Sequence, residues 1–266
     1  MENVKMESNI FRKRTQLRII FAIIIVILYS VSSFVLDFEG EAVFLSIPEG
    51  VLWLLKNFIP TQNSVKYLPI ILKTAFQTIL LAISATSISA FFALIMAIIG
   101  SETTGFNKVM KIFVKITASF FRNMPIVAWS LILLFSFKQN EFTGFLALFF
   151  VTFGYLTRTF TETIDETAGY IAEALKSTGA SYFQIVFQGV IPTVAPQLVS
   201  WLLYYIENGV REATLIGILT GTGIGFIFNL YYKSIRYDAA GLVILTVIVI
   251  VTGIELLSNK IRKEMM

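Results

Sequence analysis

Apolar positions along this chain come in long unbroken blocks. They do not alternate as in a half-buried strand, nor do they form the one-sided stripe of a surface helix. The first block covers residues 19–36 and carries no charge. The second, 74–100, is also uncharged. It exceeds the roughly 20 residues a membrane-spanning helix needs, so it is expected to tilt or overrun the bilayer. The third runs over 112–137, with Lys115 and Arg122 in its first half, so its apolar part proper begins at Asn123. The fourth, fifth and sixth are 142–157, 192–206 and 239–257, the last charged only at Glu255. The pattern predicts an all-α, polytopic membrane protein of about six transmembrane helices.

Two connections are too long to be simple turns. Residues 37–73 hold Pro48, Pro60 and Pro69. Within them, 43–60 is apolar around Trp53 and predicts a short helix in the membrane interface, where Trp prefers to sit. The segment 158–191 predicts two short helices meeting at Gly179. Glu162, Asp165 and Glu166 suit a helix start, where the dipole favours acids, and Ser181 suits the cap of the next helix. Tyr170, Ala174 and Leu175 share one face. This knob offers the small residues Ala172, Ala174 and Gly179 to a docking partner, or it packs as a hairpin on its own bundle.

Lys and Arg are enriched in loops on the cytoplasmic side. With the N-terminus inside, Lys5, Arg12, Lys13, Arg14, Arg18, Lys108, Lys111, Lys115, Arg122, Arg158, Lys176, Lys260, Arg262 and Lys263 all fall inside. Lys56, Lys66, Lys73, Lys138, Arg211, Lys233 and Arg236 fall outside, with the acids Asp37, Glu39, Glu41 and Glu49. This two-to-one bias places both termini and the 158–191 loop in the cytoplasm. The basic N-terminus precedes an apolar run, as in a signal peptide, but no small-residue cleavage site follows it. We read it as a retained first helix.

Composition agrees. The chain has 266 residues, 56% hydrophobic and 14% charged, against about 25% charged in a soluble domain. Cysteine and histidine are both absent. That removes disulfides, Cys-ligated metal and the usual general base. The basic residues sit at the ends of apolar runs and form no patch suited to nucleic acid.

Charges near the bilayer are candidate functional groups. Glu207 and Arg211 follow the fifth block one helical turn apart. Arg211 could meet an oxyanion with its planar fork, or the two could form a structural pair at the outer mouth. For Arg122 and Arg158, near cytoplasmic helix ends, anchoring is the simpler expectation. Gly217, Gly221, Gly223 and Gly225 crowd into nine residues. No strand precedes them, and the chain has no phosphate-binding G-x-x-x-x-G-K-[ST]. A half-inserted, non-helical loop acting as a gate is one reading, and small-residue helix packing is the other.

The run Glu173, Ala174, Leu175, then Gly179, then Ile191–Pro192 resembles the "EAA" loop of ATP-binding cassette (ABC) importer permeases. Residues 73–100 are similar to the first core helix of that family, and FFRNMPIVAWSLIL, with Arg122 and Pro125, to its Arg-x-x-Pro segment. Glu207, Asn208, Arg211, Ala213 and Thr214 match the phosphonate-type branch, although Thr220 and Thr222 stand where that branch tends to have glycine. The likeness covers roughly residues 66–260. It implies a type I importer fold, with residues 1–66 as an added helix and interfacial segment and 67–266 as the permease core. It implies that Glu173, Ala174, Leu175, Gly179, Ala180 and Ser181 couple to an ATPase. Glu207, Asn208, Arg211, Thr214, Gly221, Gly223, Gly225, Arg122 and Pro125 would serve the path or its gate. It further implies a homodimer, a separate ATPase that uses the ATP, a soluble binding protein outside, and no cofactor or covalent chemistry on this chain. The rival is a secondary transporter or channel working alone, which would favour internal repeats and mid-span carboxylates; neither is evident in the second to fourth blocks.

Overall fold

A computed structural model describes residues 2–36 and 40–265, with the backbone alone at 2–12, 41, 42 and 44. Asp37 and Glu39, two of the acids expected outside, lie beyond the described residues, as does the side chain of Glu41. The chain divides into two units, Met1–Asn57 and Phe58–Met266. In the first unit, α1 (Glu2–Val35) includes the span Lys13–Val35, with mean hydropathy 2.4. The helix expected over 43–60 forms as α2 (Gly40–Phe58), with Pro48 inside it.

The second unit is a helical bundle: α3 (Gln62–Val65), α4 (Leu68–Gly100), α5 (Lys108–Asn123), α6 (Ile126–Phe137), α7 (Glu141–Ser177), α8 (Tyr182–Gln184), a π-helical turn (Ile185–Val190), α9 (Ile191–Thr220), α10 (Gly223–Lys233) and α11 (Tyr237–Met265). Among the described residues, five helices are long and apolar enough to cross a membrane, or six if α5 and α6 count as one bent span.

The bundle packs small residues inward. The buried positions of α4 are Ile71, Thr74, Ala75, Thr78, Ala82, Ala85, Thr86, Ser89, Ala93, Ala97 and Gly100, which recur at helical spacing. Large residues such as Phe76, Leu80 and Phe91 are exposed. In lipid, apolar bulk gains nothing by hiding, and close backbone approach through small side chains drives association. α4 and α7 share the most extensive contact in the unit, and α4 meets α9 where Gly209 faces Thr86.

The structure corrects three expectations. The third block is not a straight span: α5 and α6 meet at 87°. Met124 and Pro125 are extended, and proline offers no N–H to continue the helix. Trp129 Nε1 donates to the Phe121 carbonyl at 3.3 Å, one of those left open at the end of α5, and the Trp129 and Phe121 rings stack at 5.5 Å. Second, residues 158–177 are not a separate short helix but the continuation of α7. Glu162, Asp165 and Glu166 therefore sit in mid-helix. Charge ends the lipid environment without breaking the backbone ladder, and nothing from Arg158 to Ser177 breaks it. At 37 residues, α7 is about 55 Å long, against ~30 Å of hydrocarbon. Third, the fifth span does not stop at Ile206; α9 runs on to Thr220.

Candidate functional site

The reversal between α7 and the helix after it is built by two caps in sequence. Gly179 is left-handed (φ 82°), which L side chains avoid. Ala180 N–H donates to Leu175 O at 3.1 Å and Gly179 N–H to Lys176 O at 3.1 Å, the paired bonds of a Schellman motif. Ser181 then caps α8 as expected, in a capping box with Gln184; Ser181 N–H donates to Gln184 Oε1 at 2.8 Å. Glu173, Ala174, Leu175, Gly179, Ala180 and Ser181 thus form one projecting tip, with open space around Gly179.

The glycine-rich segment is helical, apart from Gly221 and Thr222. Gly217 lies in α9, and Gly223 and Gly225 in α10. Of the two readings, the non-helical loop does not form; the segment is a tight helix–turn–helix. Gly221 is left-handed (φ 70°), and Thr222 N–H reaches Gly217 O at 3.2 Å. Thr78 of α4 caps α10, its hydroxyl accepting from Ile224 N–H at 2.9 Å. Gly225 lies directly against the Thr214 carbonyl, and the Thr214 hydroxyl is turned back to Val210 O at 2.9 Å. Small-residue packing is therefore what these glycines do.

Glu207 and Arg211 face each other as their spacing predicts, at 2.7 Å. They lie in mid-α9 rather than beyond its end. The Glu207 side chain is 9% exposed and that of Arg211 46%. Arg211 also reaches Glu255 of α11 at 3.9 Å. Asn208 instead donates to Glu212 Oε1 at 3.2 Å. One stretch of α9 therefore carries two polar pairs.

Asn208 and Glu212 belong to a feature that sequence reading missed. Thr193, Gln197, Trp201, Tyr205, Asn208 and Glu212 recur every three or four residues along α9. Tyr155, Thr159, Thr163 and Thr167 do so along α7. Tyr155 and Tyr205 stack at 5.9 Å. Toward the Gly179 end, a cavity of about 360 Å³ opens between the helices, lined by Thr163, Glu166, Gln197 and Trp201 among others. Trp201 Nε1 is buried there without a partner. A donor left open beside a cavity is suited to water or a polar solute. The signal was present as a 3.6-residue period of polar side chains inside apolar blocks, but block hydropathy averages it away.

Arg122 is not part of this face. It lies at the end of α5, its backbone touching Gly154 of α7, and Pro125 marks the α5–α6 break. No group of three or more potential metal ligands occurs among the described residues.

A two-unit chain with a small-residue helical core, a broken third span and a paired-helix tip has the fold of type I ABC importer permeases. An amino acid ABC transporter crystallised with histidines shares it at a TM-score of 0.67 and 16% identity, over 77% of this chain and 99% of that one. Residues 89–262 match the family described as binding-protein-dependent transport system inner membrane component, and the chain belongs to that family. It is a multi-pass membrane protein. It is 26% identical to the phosphate-import permease protein PhnE of Mycolicibacterium smegmatis, over 88% of this chain but only 43% of that relative's length. It is 24% identical to the phosphite transport system permease protein PtxC of Stutzerimonas stutzeri, over 71% of this chain and 68% of that one.

Proposed function

We propose that this chain is the membrane-conducting subunit of an ATP-driven importer for phosphonate or a related phosphorus oxyanion. The polar α7–α9 face carries the reading: in lipid, such a line of Thr, Gln, Trp, Tyr, Asn and Glu is tolerated where it borders water or protein. The substrate class rests on the named relatives. One face is half a conduit, so a second permease copy supplies the other wall. Two copies of this chain are the simplest assembly, with a soluble binding protein outside and ATPase subunits at the Gly179 tip. Orientation follows the Lys/Arg bias, with both termini and the tip in the cytoplasm.

The chain moves solute and makes or breaks no covalent bond; the partner ATPase uses the ATP. Glu166, which lines the cavity, weakens the hold on an anion, which suits passage more than storage, since conduction needs binding weak enough to release. In this reading Glu207 and Arg211 brace α9 against α11, and Asn208 with Glu212 lines the path. Gly221, Gly223, Gly225 and Thr214 hold the α9–α10 turn shut at its outer end.

The test is uptake and copurification. Deleting this chain abolishes uptake of phosphite or methylphosphonate, and mild detergent extracts it with an ATPase subunit bearing a phosphate-binding loop. Uptake unchanged after deletion sinks the substrate class. A lone oligomer that transports without ATPase favours a secondary transporter. Because the chain has no cysteine, Ser181→Cys tests orientation: labelling by an impermeant thiol reagent in intact cells reverses it.

A further inference from the structure

On the other side of α7 lies a groove of about 380 Å³, bordered by Lys115, Ser119 and Arg122 of α5 and by Thr157, Arg158 and Thr161 of α7. Two acids also border it, and both are engaged. Glu162 accepts from Arg158 Nε at 2.6 Å. Asp165 accepts from Ser101 Oγ at 2.6 Å and from the Thr103 N–H at 3.0 Å. Lys115 is drawn to Glu102 at 3.3 Å. Among the described residues, Arg122 alone of these cations has no acidic partner and no hydrogen bond.

Arg122 is half-buried and deep. It packs beside Gly154, eleven residues before Asp165, or about 16 Å along α7. An unpaired charge at such depth is expensive and by default functional. A second open group borders the same groove. Thr157 is fully buried and its hydroxyl has no partner. Its neighbours Thr161 and Thr163 both turn their hydroxyls back to the helix, at 2.7 and 2.8 Å. The ion pair with Glu162 uses only Nε of Arg158, leaving its terminal nitrogens as donors.

We propose that this groove binds a tetrahedral phosphorus oxyanion, held by the Arg122 fork, the Thr157 and Ser119 hydroxyls and the terminal nitrogens of Arg158. A guanidinium fork matches two oxygens of such a group, and the hydroxyls meet the others. The site is separate from the α7–α9 face and does not rest on the transport reading. A phospholipid headgroup and a free phosphate or phosphonate present the same chemistry.

The full-length chain, purified with its partner subunits in phosphate-free dodecyl maltoside, separates the sources. One arm measures thermal stabilisation by inorganic phosphate and by methylphosphonate. The other measures retained phospholipid by native mass spectrometry. Each is run on wild type, Arg122→Gln and Thr157→Val. Stabilisation that weakens about tenfold or more in concentration dependence in Arg122→Gln, and less in Thr157→Val, supports the site with a free oxyanion. Phospholipid held by wild type and lost from the variants supports it with a headgroup. Thr157→Val keeps the side-chain shape, so it decides the matter if Arg122→Gln does not assemble. Wild type that binds neither ligand, or binding undiminished in the folded variants, overturns the proposal.

Discussion

The bundle turns back on itself at Gly179 and at Gly221 with the same capping device, and the two turns sit in opposite surroundings. Both glycines are left-handed, and both are followed by a residue whose N–H reaches five residues back, Ala180 to Leu175 and Thr222 to Gly217. A Cβ on Gly179 would meet nothing within 4 Å. Around Gly221, Thr78 caps the next helix, Gln139 Nε2 donates to Leu219 O at 3.4 Å, and Gly225 is pressed onto the Thr214 carbonyl. Local chain chemistry therefore specifies a reversal in both places, and the surroundings decide its use. The free tip is available to a partner. The sewn turn is committed to its own bundle.

The largest expected effect breaks the sewn turn. Gly225→Ala puts a methyl group into the Thr214 carbonyl, so α10 must lift off α9, at about 3 kcal/mol or more. Thermal unfolding of the purified protein should show a large loss of stability or no folded species. A variant as stable as wild type would mean that the two helices are not truly in contact.

Gly179→Arg is the counterpart at the free tip. The open space accommodates the side chain, and the left-handed backbone costs about 1 kcal/mol. Fluorescence-detected size exclusion should find it folded, while uptake and ATPase copurification disappear. If both survive, the tip is not the docking point.

A third reversal sharpens the rule. Between α10 and α11, Ile235 is left-handed (φ 58°), although β-branched, and Arg236 N–H reaches Tyr231 O. Ile235→Gly should stabilise the protein by about 1 kcal/mol, read as a raised Tm. A fall in Tm would show that the exposed isoleucine makes contacts that offset its strain.

The smallest effect is electrostatic. Hydrogen bonds from Lys111 and then Lys115 hold the exposed Glu102 carboxyl below its ordinary value of 4.5. Its contribution is thus fully present above that value and lost as pH falls through the lowered one. The Tm difference between wild type and Glu102→Gln should shrink over that acid range; a difference that grows would reverse the sign.

The long apolar blocks made the number and helical nature of the spans legible, because an uncharged run of such length has few other uses. The Gly179–Ser181 turn was legible too, since its chemistry is local. The ends of α7 and α9 were not. Sequence reading stopped each at its first charges, yet Arg158 pairs with Glu162 and Arg211 with Glu207 along the same helix, so polar residues continue the ladder without interruption. The right-angle turn at Pro125 was hidden because apolar residues flank it and its direction is set by tertiary contacts, Trp129 on Phe121 and both helices on α7. The α7–α9 face was hidden because it exists between two helices far apart in sequence.

The π-helical turn at Ile185–Val190 works as a phase shifter. Ile191 N–H reaches back five residues to Val186 O, so this stretch accommodates one residue more than an α-helix would. Everything downstream is rotated by about 100° relative to the tip. Thr193, Gln197 and Trp201 face α7 only because of that rotation. Winding the same residues as a regular α-helix would swing the polar line toward lipid, whereas removing one residue here would close the bulge and leave that line facing α7. The tip and the polar line are thus indexed to each other like a key to its wards, by the one extra residue this turn takes up.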